Sequence, residues 1–296
     1  MLQQNFTIRD LSQLTRIKAH TLRIWEQRYG IMNPQRTDSN IRLYSQEDLK
    51  FLLNVSILYD YGLKISNIAK LSLEELNEKV KQLASEKSQI PSQIQNLVVS
   101  MLELDEERFE KQLNNSIMSI GLEETILSII YPFLQHIGIL WQTNTINPAQ
   151  EHFITNLIRQ KLIVAIDGIP HSRLRTDAKK IMLYLPEGEF HELSLLFASY
   201  LVKLQGHRSI YLGQSLPLQD LKAVQEVHHA DVVLTIITSN PCQEDVQPYL
   251  DKLKAQMPDT QFWITGFQVV SQALTIPENF TVLADTRIMK EKLNAL

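Results

Sequence analysis

KKIMLYLPEGEFHELS, residues 179–194, is the stretch that decides the architecture. Its first half, KKIMLYLP at 179–186, is a short apolar and aromatic run behind two lysines, the pattern of a strand buried on both faces. Its second half, LPEGEFHELS at 185–194, breaks at Pro186 and Gly188 and carries Glu189 and His191. It then passes into the apolar run LSLLFASYLV, long enough for a helix. A strand that turns through a glycine-containing loop straight into a helix is half of a parallel βαβ unit.

The alternation continues to the C-terminus. RSIYLG, DVVLTIIT, QFWITG and FTVLAD read as four more short strands. Between them HELSLLFASYLVKLQG, LQDLKAVQEVHHA, EDVQPYLDKLKAQM and VVSQALTI read as helices, with RIMKEKLNAL as a last one. Five strands interleaved with helices over residues 178–296 predict an open parallel α/β sheet covered on both faces. Such sheets take ligands outside the carboxyl ends of their strands, where strand order reverses. Glu189 and His191 follow the first strand, Thr238 and Ser239 in ITSN (237–240) end the third, and Gly266 in ITG (264–266) ends the fourth. A histidine there can bind a metal through one ring nitrogen while a carboxylate two residues earlier orients the other. Taken alone, an exposed loop histidine is the commoner reading; three strand ends on one edge of the sheet sharpen it.

Upstream, residues 92–170 carry no strand pattern. QIQNLVVSMLELD, EERFEKQLNNSIMS, ETILSIIYPFLQHIGILW and AQEHFITNLIRQKLIVAID predict a four-helix bundle. The polar SEKSQIPSQ at 85–93 marks a linker, so residues 76–91 are a helix end and linker. Residues 1–75 read as a third piece. FTIRDLSQLTRIKAHTLRIWEQRYG gives two short helices around a turn, starting near Thr7 and Lys18. MNPQRTDSNIRLYS gives a short β-wing, and Ser45 opens a capping box with Asp48 before the next helix, which breaks at Gly62.

Charge singles out this head. The whole chain of 296 residues has 29 basic and 33 acidic side chains, net charge -4. Residues 1–45 hold seven basic against three acidic side chains, a surplus of +4, which suits a polyanion. A helix-turn-helix with a wing sets its second helix in the major groove and the wing along a phosphate strand. On that helix Thr21, Arg23, Arg28 and Tyr29 are the candidate DNA contacts; on the wing Arg36 and Arg42, with Tyr44 at its end. Trp25 reads as core. A basic helical domain with a solvated charge face is the bland alternative.

TLRIWEQRYG and the following P-x-R-T…x-R-x-Y-S wing resemble the MerR family of transcription regulators over about the first 70 residues. That resemblance implies operator DNA as a partner. The set Glu189, His191, Ser194, Thr238, Ser239 and Gly266 resembles the cobalamin-binding domain shared with methionine synthase and corrinoid mutases, whose pattern is D-x-H-x-x-G, a serine stretch, then a glycine pair. The implied fold is a flavodoxin-like, Rossmann-like five-stranded parallel sheet, with His191 as lower axial ligand of cobalt. Three departures stand out: Glu189 for the aspartate, Ser194 for the glycine, and Phe267 for the second of the paired glycines. The last two narrow the groove for the cofactor's tail.

WQTNTINPAQEH, residues 141–152, closes the third bundle helix with Trp141 and opens the fourth near Glu151 and His152. A loop between antiparallel helices brings all three to one end of the bundle. Read singly, these are a core tryptophan and an exposed cap histidine. The W-x9-E-H spacing, however, resembles the CarH-type cobalamin-dependent photoreceptors of the MerR family. There the tryptophan packs against the adenosyl group and the Glu-His pair helps hold it. Those proteins carry a second histidine directly after the tryptophan, where this chain has Gln142. An amide is a poor ligand for cobalt(III), so His136 or His152 would have to serve, or the light-exposed state differs, or light is not the signal.

The resemblances imply a repressor that binds adenosylcobalamin between bundle and sheet and changes oligomeric state, as dimer or tetramer, and the lack of a signal pattern or disulfide framework suits a cytoplasmic protein. The alternative keeps the DNA head and gives the C-terminal pieces another small ligand or a protein antirepressor. An enzyme of methyl transfer or isomerisation is disfavoured by the head and by the lack of a substrate-binding barrel. One cysteine, Cys242, excludes a disulfide framework and a multi-cysteine zinc knuckle. Adjacent His228 and His229 read as surface residues at a helix end, and no stretch approaches the length of a membrane span.

Overall fold

The computed structural model describes residues 6–15, 17–32, 34–36, 40, 42–86, 92–142, 146–241 and 245–296. Cys242 lies outside the described residues. The chain divides into two compact units, residues 1–157 and 158–296.

In the first unit, α1 (Ile8–Thr15) and α2 (Ala19–Tyr29) form the two-helix motif. Helix α2 ends where Gly30 takes φ 64° and returns its N–H to Glu26, a left-handed cap that glycine adopts without strain. The wing is the antiparallel pair β1 (Gln35–Arg36) and β2 (Arg42–Leu43), with Arg36 opposite Arg42. Helix α3 (Gln46–Asp60) starts with the predicted capping box: Ser45 Oγ accepts the Asp48 N–H while the Asp48 carboxylate accepts that of Ser45. After Gly62 at φ 87° come α4 (Ile65–Ile68) and α5 (Leu73–Glu86). Leu11, Leu22, Trp25, Tyr44, Leu52, Val55 and Leu58 form the core of this head, and Trp25 meets Tyr59 edge-on at 5.0 Å. Each fully buried side chain of this size contributes roughly 1.5–3 kcal/mol.

The bundle helices follow as α6 (Ser92–Glu103), α7 (Glu106–Ile120), α8 (Leu122–Thr125), a π-helical turn (Ile126–Ile130), α9 (Tyr131–Gln142) and α10 (Pro148–Asp167). The third predicted helix is thus one rod with a π turn inside it. Helix α9 packs on α3 and α5 as well as on α6, which joins head and bundle helices in one unit. Unit boundary 157/158 falls inside α10, whereas the sequence reading ends the bundle at residue 170.

The second unit holds the 3-10 turn His171–Arg173, then β3 (Lys180–Pro186), α11 (Glu192–Leu204), β4 (Arg208–Leu216), α12 (Leu218–His228), β5 (Val232–Ile236), α13 (Val246–Gln256), β6 (Phe262–Thr265), α14 (Phe267–Val270), β7 (Phe280–Val282) and α15 (Thr286–Ala295). All five strands run parallel in the order β4-β3-β5-β6-β7. The order reverses at β3, whose two neighbours are β4 and β5, so the ligand edge lies at the carboxyl ends of β3 and β5. Residues 181–185 are completely buried, as a central strand covered on both faces requires. One face packs Met182, Tyr184, Val233 and Ile264 against Leu221 of α12 and Leu250 and Leu253 of α13; α11 packs on β3 and β4.

VVSQALTI does not form the predicted helix beyond Val270. Further on, the Gln247 amide accepts the N–H of Thr275 at 2.8 Å and donates to its carbonyl at 3.0 Å, holding that segment in a non-helical course.

Candidate functional site

The head presents its charge unevenly. Arg23 and Arg28 are exposed on α2, Thr21 and Tyr29 are half-buried, and the Arg28 guanidinium stacks 5.5 Å from the Tyr29 ring centre. Ile24 is 45% exposed and shares the helical face of Thr21 and Arg28 at three- and four-residue spacing. Sequence reasoning missed it because an apolar residue on a short helix is read as core. On the wing, Arg36 is exposed and donates to Asn40.

Two wing residues named as DNA contacts have other partners. Tyr44 is fully buried and donates its hydroxyl to Glu26 Oε2 at 2.7 Å, which corrects its assignment: it is a core residue that anchors the wing to α2. Burial, reinforced by the Glu26 carboxylate, pushes its hydroxyl far above the ordinary tyrosine range. Arg42 gives Nε to Glu26 Oε1 at 3.0 Å, so part of its charge is compensated inside the fold. Glu26 therefore clamps both ends of the second wing strand.

At the ligand edge of the sheet the organising group is Glu189, which is completely buried. Its Oε2 accepts the backbone N–H groups of Thr238, Ser239 and Asn240 at 2.9, 2.6 and 3.0 Å. Its Oε1 accepts those of Phe190 and His191 at 3.0 and 3.2 Å, and meets His191 Nδ1 at 2.5 Å. The Ser239 hydroxyl donates to the same carboxylate. Burial by itself would raise this carboxyl, but the contacts from His191, Ser239 and Asn240 hold it at about 2. One carboxylate thus ties the loop after β3 to the turn after β5, across the switch point.

The consequence for His191 is geometric. Glu189 fixes the ring through Nδ1, while the His191 side chain is 58% exposed. Gly266 seats the next strand end: it has φ 101°, and a Cβ there would lie 2.5 Å from the Ile237 carbonyl oxygen, so only glycine fits. Ser194 is half-buried in the first turn of α11, and Phe267 opens α14 directly after Gly266. Thr238, Ser239, Glu189 and His191 are therefore brought together.

Three neighbours went unread in the sequence. Asn240 donates its side-chain amide to the Glu187 carbonyl, and Ser215 accepts the Gly188 N–H at 3.1 Å. Phe190, 64% exposed beside His191, is the third. An aromatic between the acid and the histidine of the loop was the available signal.

In the first unit, Trp141 lies in the last turn of α9; its side chain, like that of Gln142, falls outside the described residues. Glu151 and His152 share the first turn of α10, with His152 Nδ1 3.3 Å from Glu151 Oε2 and the two side chains 72% and 39% exposed for His and Glu respectively. Glu151 also accepts the Thr155 hydroxyl at 3.1 Å. His136 on α9 is half-buried, and desolvation lowers its pKa.

Among the described residues no cluster of three or more His, Cys, Asp and Glu side chains could hold a bare metal ion. No helix among the described residues is long and apolar enough to cross a membrane.

Comparison with known proteins bears on the head and on the helices that follow it. The MerR HTH family regulatory protein model matches residues 6–75, and the B12 binding domain model matches residues 93–165. The chain is 27% identical over 274 residues to the HTH-type transcriptional repressor CarH of Myxococcus xanthus, covering 90% of each chain. It is 28% identical over 255 residues to the transcriptional repressor CarA of the same organism, covering 85% of this chain and 83% of that one. Among solved structures, the monomethylamine corrinoid protein of Methanosarcina barkeri superposes with a TM-score of 0.53 at 8% identity, covering 67% of this chain and 95% of that one, a likeness of fold alone. Both of these relatives are named as transcriptional repressors. This chain joins a MerR-type DNA-binding head to a cobalamin-binding domain and is a homologue of the CarH and CarA transcriptional repressors.

Proposed function

We propose that the chain is a repressor that senses adenosylcobalamin, with His191 as the lower axial ligand of cobalt, and that binding changes its oligomeric state on operator DNA. The observation that carries this reading is the buried Glu189 carboxylate, which orients an exposed imidazole at the switch point of the sheet. When bound, adenosylcobalamin supplies a cobalt–carbon bond that light can break. Glu189 holds the tautomer of His191, and Thr238, Ser239 and Gly266 shape the groove beside it. Trp141, Glu151 and His152 are assigned to the adenosyl side by the spacing W-x9-E-H. Ligand-driven assembly links several heads, and linked heads bind an operator at a far higher effective concentration than one.

Gln142 bears on the light response. No imidazole follows Trp141 in sequence, so a photoproduct with imidazole on both cobalt faces is not expected from this position. Half-buried Ser194 and Phe267 favour a second reading, in which the domain takes another small ligand or a protein antirepressor.

Size measurement of the protein with adenosylcobalamin, in darkness and after green light, beside its absorption spectrum, tests the proposal. Uptake with a red-shifted spectrum, assembly in the dark and dissociation after light are expected. A His191→Ala protein that takes up the cofactor with unaltered colour would remove the axial assignment, and an unchanged mass with bound cofactor would remove the assembly step.

A further inference from the structure

The second unit has a cleft on the side away from His191, at the amino-terminal end of β4. It encloses about 520 Å³ and is lined by Ile169, Pro170, Leu174 and by Arg173, Lys203 and Arg208, with His171 and buried His207 beside them. No carboxylate lines it. Among the described residues neither Lys203 nor Arg208 has a side-chain ion pair, and Arg173 spends only its Nε, on the Leu204 carbonyl at 2.7 Å. Nearby Arg175 is paired with Asp177 and is not part of the lining.

We propose that this cleft binds a phosphorylated small molecule, with the three cations on its phosphate and the apolar wall on its organic part. The bland explanation for Arg173 and Lys203 is that they complement the carboxyl end of α11. That end carries roughly half a negative charge. Three formal positive charges exceed it several-fold, and Arg208 opens β4 and caps no helix. Concave walls with one sign of charge focus the field on a small anion.

The cleft is also held rigid. Arg175 N–H donates to the Gly206 carbonyl at 3.0 Å, and a Cβ at Gly206 would lie 2.8 Å from the Arg173 carbonyl oxygen, so the 171–175 segment rests directly on the turn before β4. His207 is buried beneath it with both ring nitrogens used: Nδ1 accepts the Lys179 N–H at 3.2 Å and Nε2 donates to the Leu293 carbonyl at 2.7 Å. With both nitrogens engaged it supports the cleft and is no ligand. A small molecule is favoured over the DNA backbone because the volume matches ordinary ligand pockets, roughly 300–1,000 Å³, and because Ile169, Pro170 and Leu174 would face no apolar surface on a phosphate strand.

The test uses the full chain at low ionic strength, titrated calorimetrically with adenosine monophosphate, with inorganic phosphate and with random-sequence duplex DNA. Sub-millimolar binding of the nucleotide is expected, at least tenfold tighter than inorganic phosphate. At least tenfold loss is expected in an Arg173→Gln, Arg208→Gln double variant and in Arg208→Gln alone, which changes only an exposed strand start. Cobalamin colour should be unchanged in both, so failure here leaves the sensor reading standing. Equal nucleotide affinity in wild type and variants would overturn the proposal. So would a wild type that ignores the nucleotide, whether or not the variants lose affinity for duplex DNA.

Discussion

Replacing Glu189 by Gln keeps the shape of the ligand edge and removes one acceptor. Oε1 and Oε2 of Glu189 together accept five backbone N–H groups, two on one oxygen and three on the other. An amide offers one oxygen and one NH2, so in either orientation its NH2 confronts at least two of those donors. Each buried N–H left without an acceptor costs about 1–3 kcal/mol. The second unit should therefore lose about 2–6 kcal/mol, a large share of the roughly 5–15 kcal/mol that holds a domain folded. At roughly 3 °C per kcal/mol for a unit of this size, its melting temperature falls by about 6–18 °C. The same change leaves His191 Nδ1 without a fixed acceptor, so cobalamin uptake should weaken with it. Ser239→Ala calibrates the measurement: it removes the hydroxyl and keeps the Ser239 N–H on Oε2, for a loss of about 1 kcal/mol. The assay is thermal unfolding by calorimetry beside the absorption spectrum of added cobalamin. A Glu189→Gln protein that melts within 2 °C of wild type and colours normally would show that the carboxylate does not hold the two loops together.

Gly266→Ala should destabilise the second unit by about 2–4 kcal/mol, because the new Cβ falls 2.5 Å from the Ile237 carbonyl oxygen at φ 101°; an unshifted melting temperature would contradict the packing at the fourth strand end. On the head, the exposed Arg36 and the compensated Arg42 should separate in the salt dependence of DNA binding. Arg36→Gln should reduce the slope of log K against log salt by about 0.9, and Arg42→Gln by less than half of that. Equal slopes for the two variants would mean that Glu26 releases Arg42 on the DNA.

What could be read in advance was set by how local its cause is. Strand β3 and its four companions were legible because burial on both faces leaves an unbroken apolar run, and the capping box at Ser45 lies within four residues of chain. Tyr44 was misread because its partner, Glu26, stands 18 residues away on another element; a tyrosine at the end of a basic wing looks the same whether its hydroxyl turns to a phosphate or to a buried carboxylate. VVSQALTI was misread as a helix although half of it is β-branched, and part of its course is held by Gln247, 28 residues upstream of Thr275. Glu189 was legible as a partner of His191, two residues on, but not as the clamp on residues 238–240, some 50 residues on. This last contact changes the meaning of the motif. A longer side chain than aspartate at position 189 still reaches the histidine, and it also spans the gap to the turn after β5. The position of His191 and the conformation of residues 238–240 are in this way set by the same two oxygen atoms.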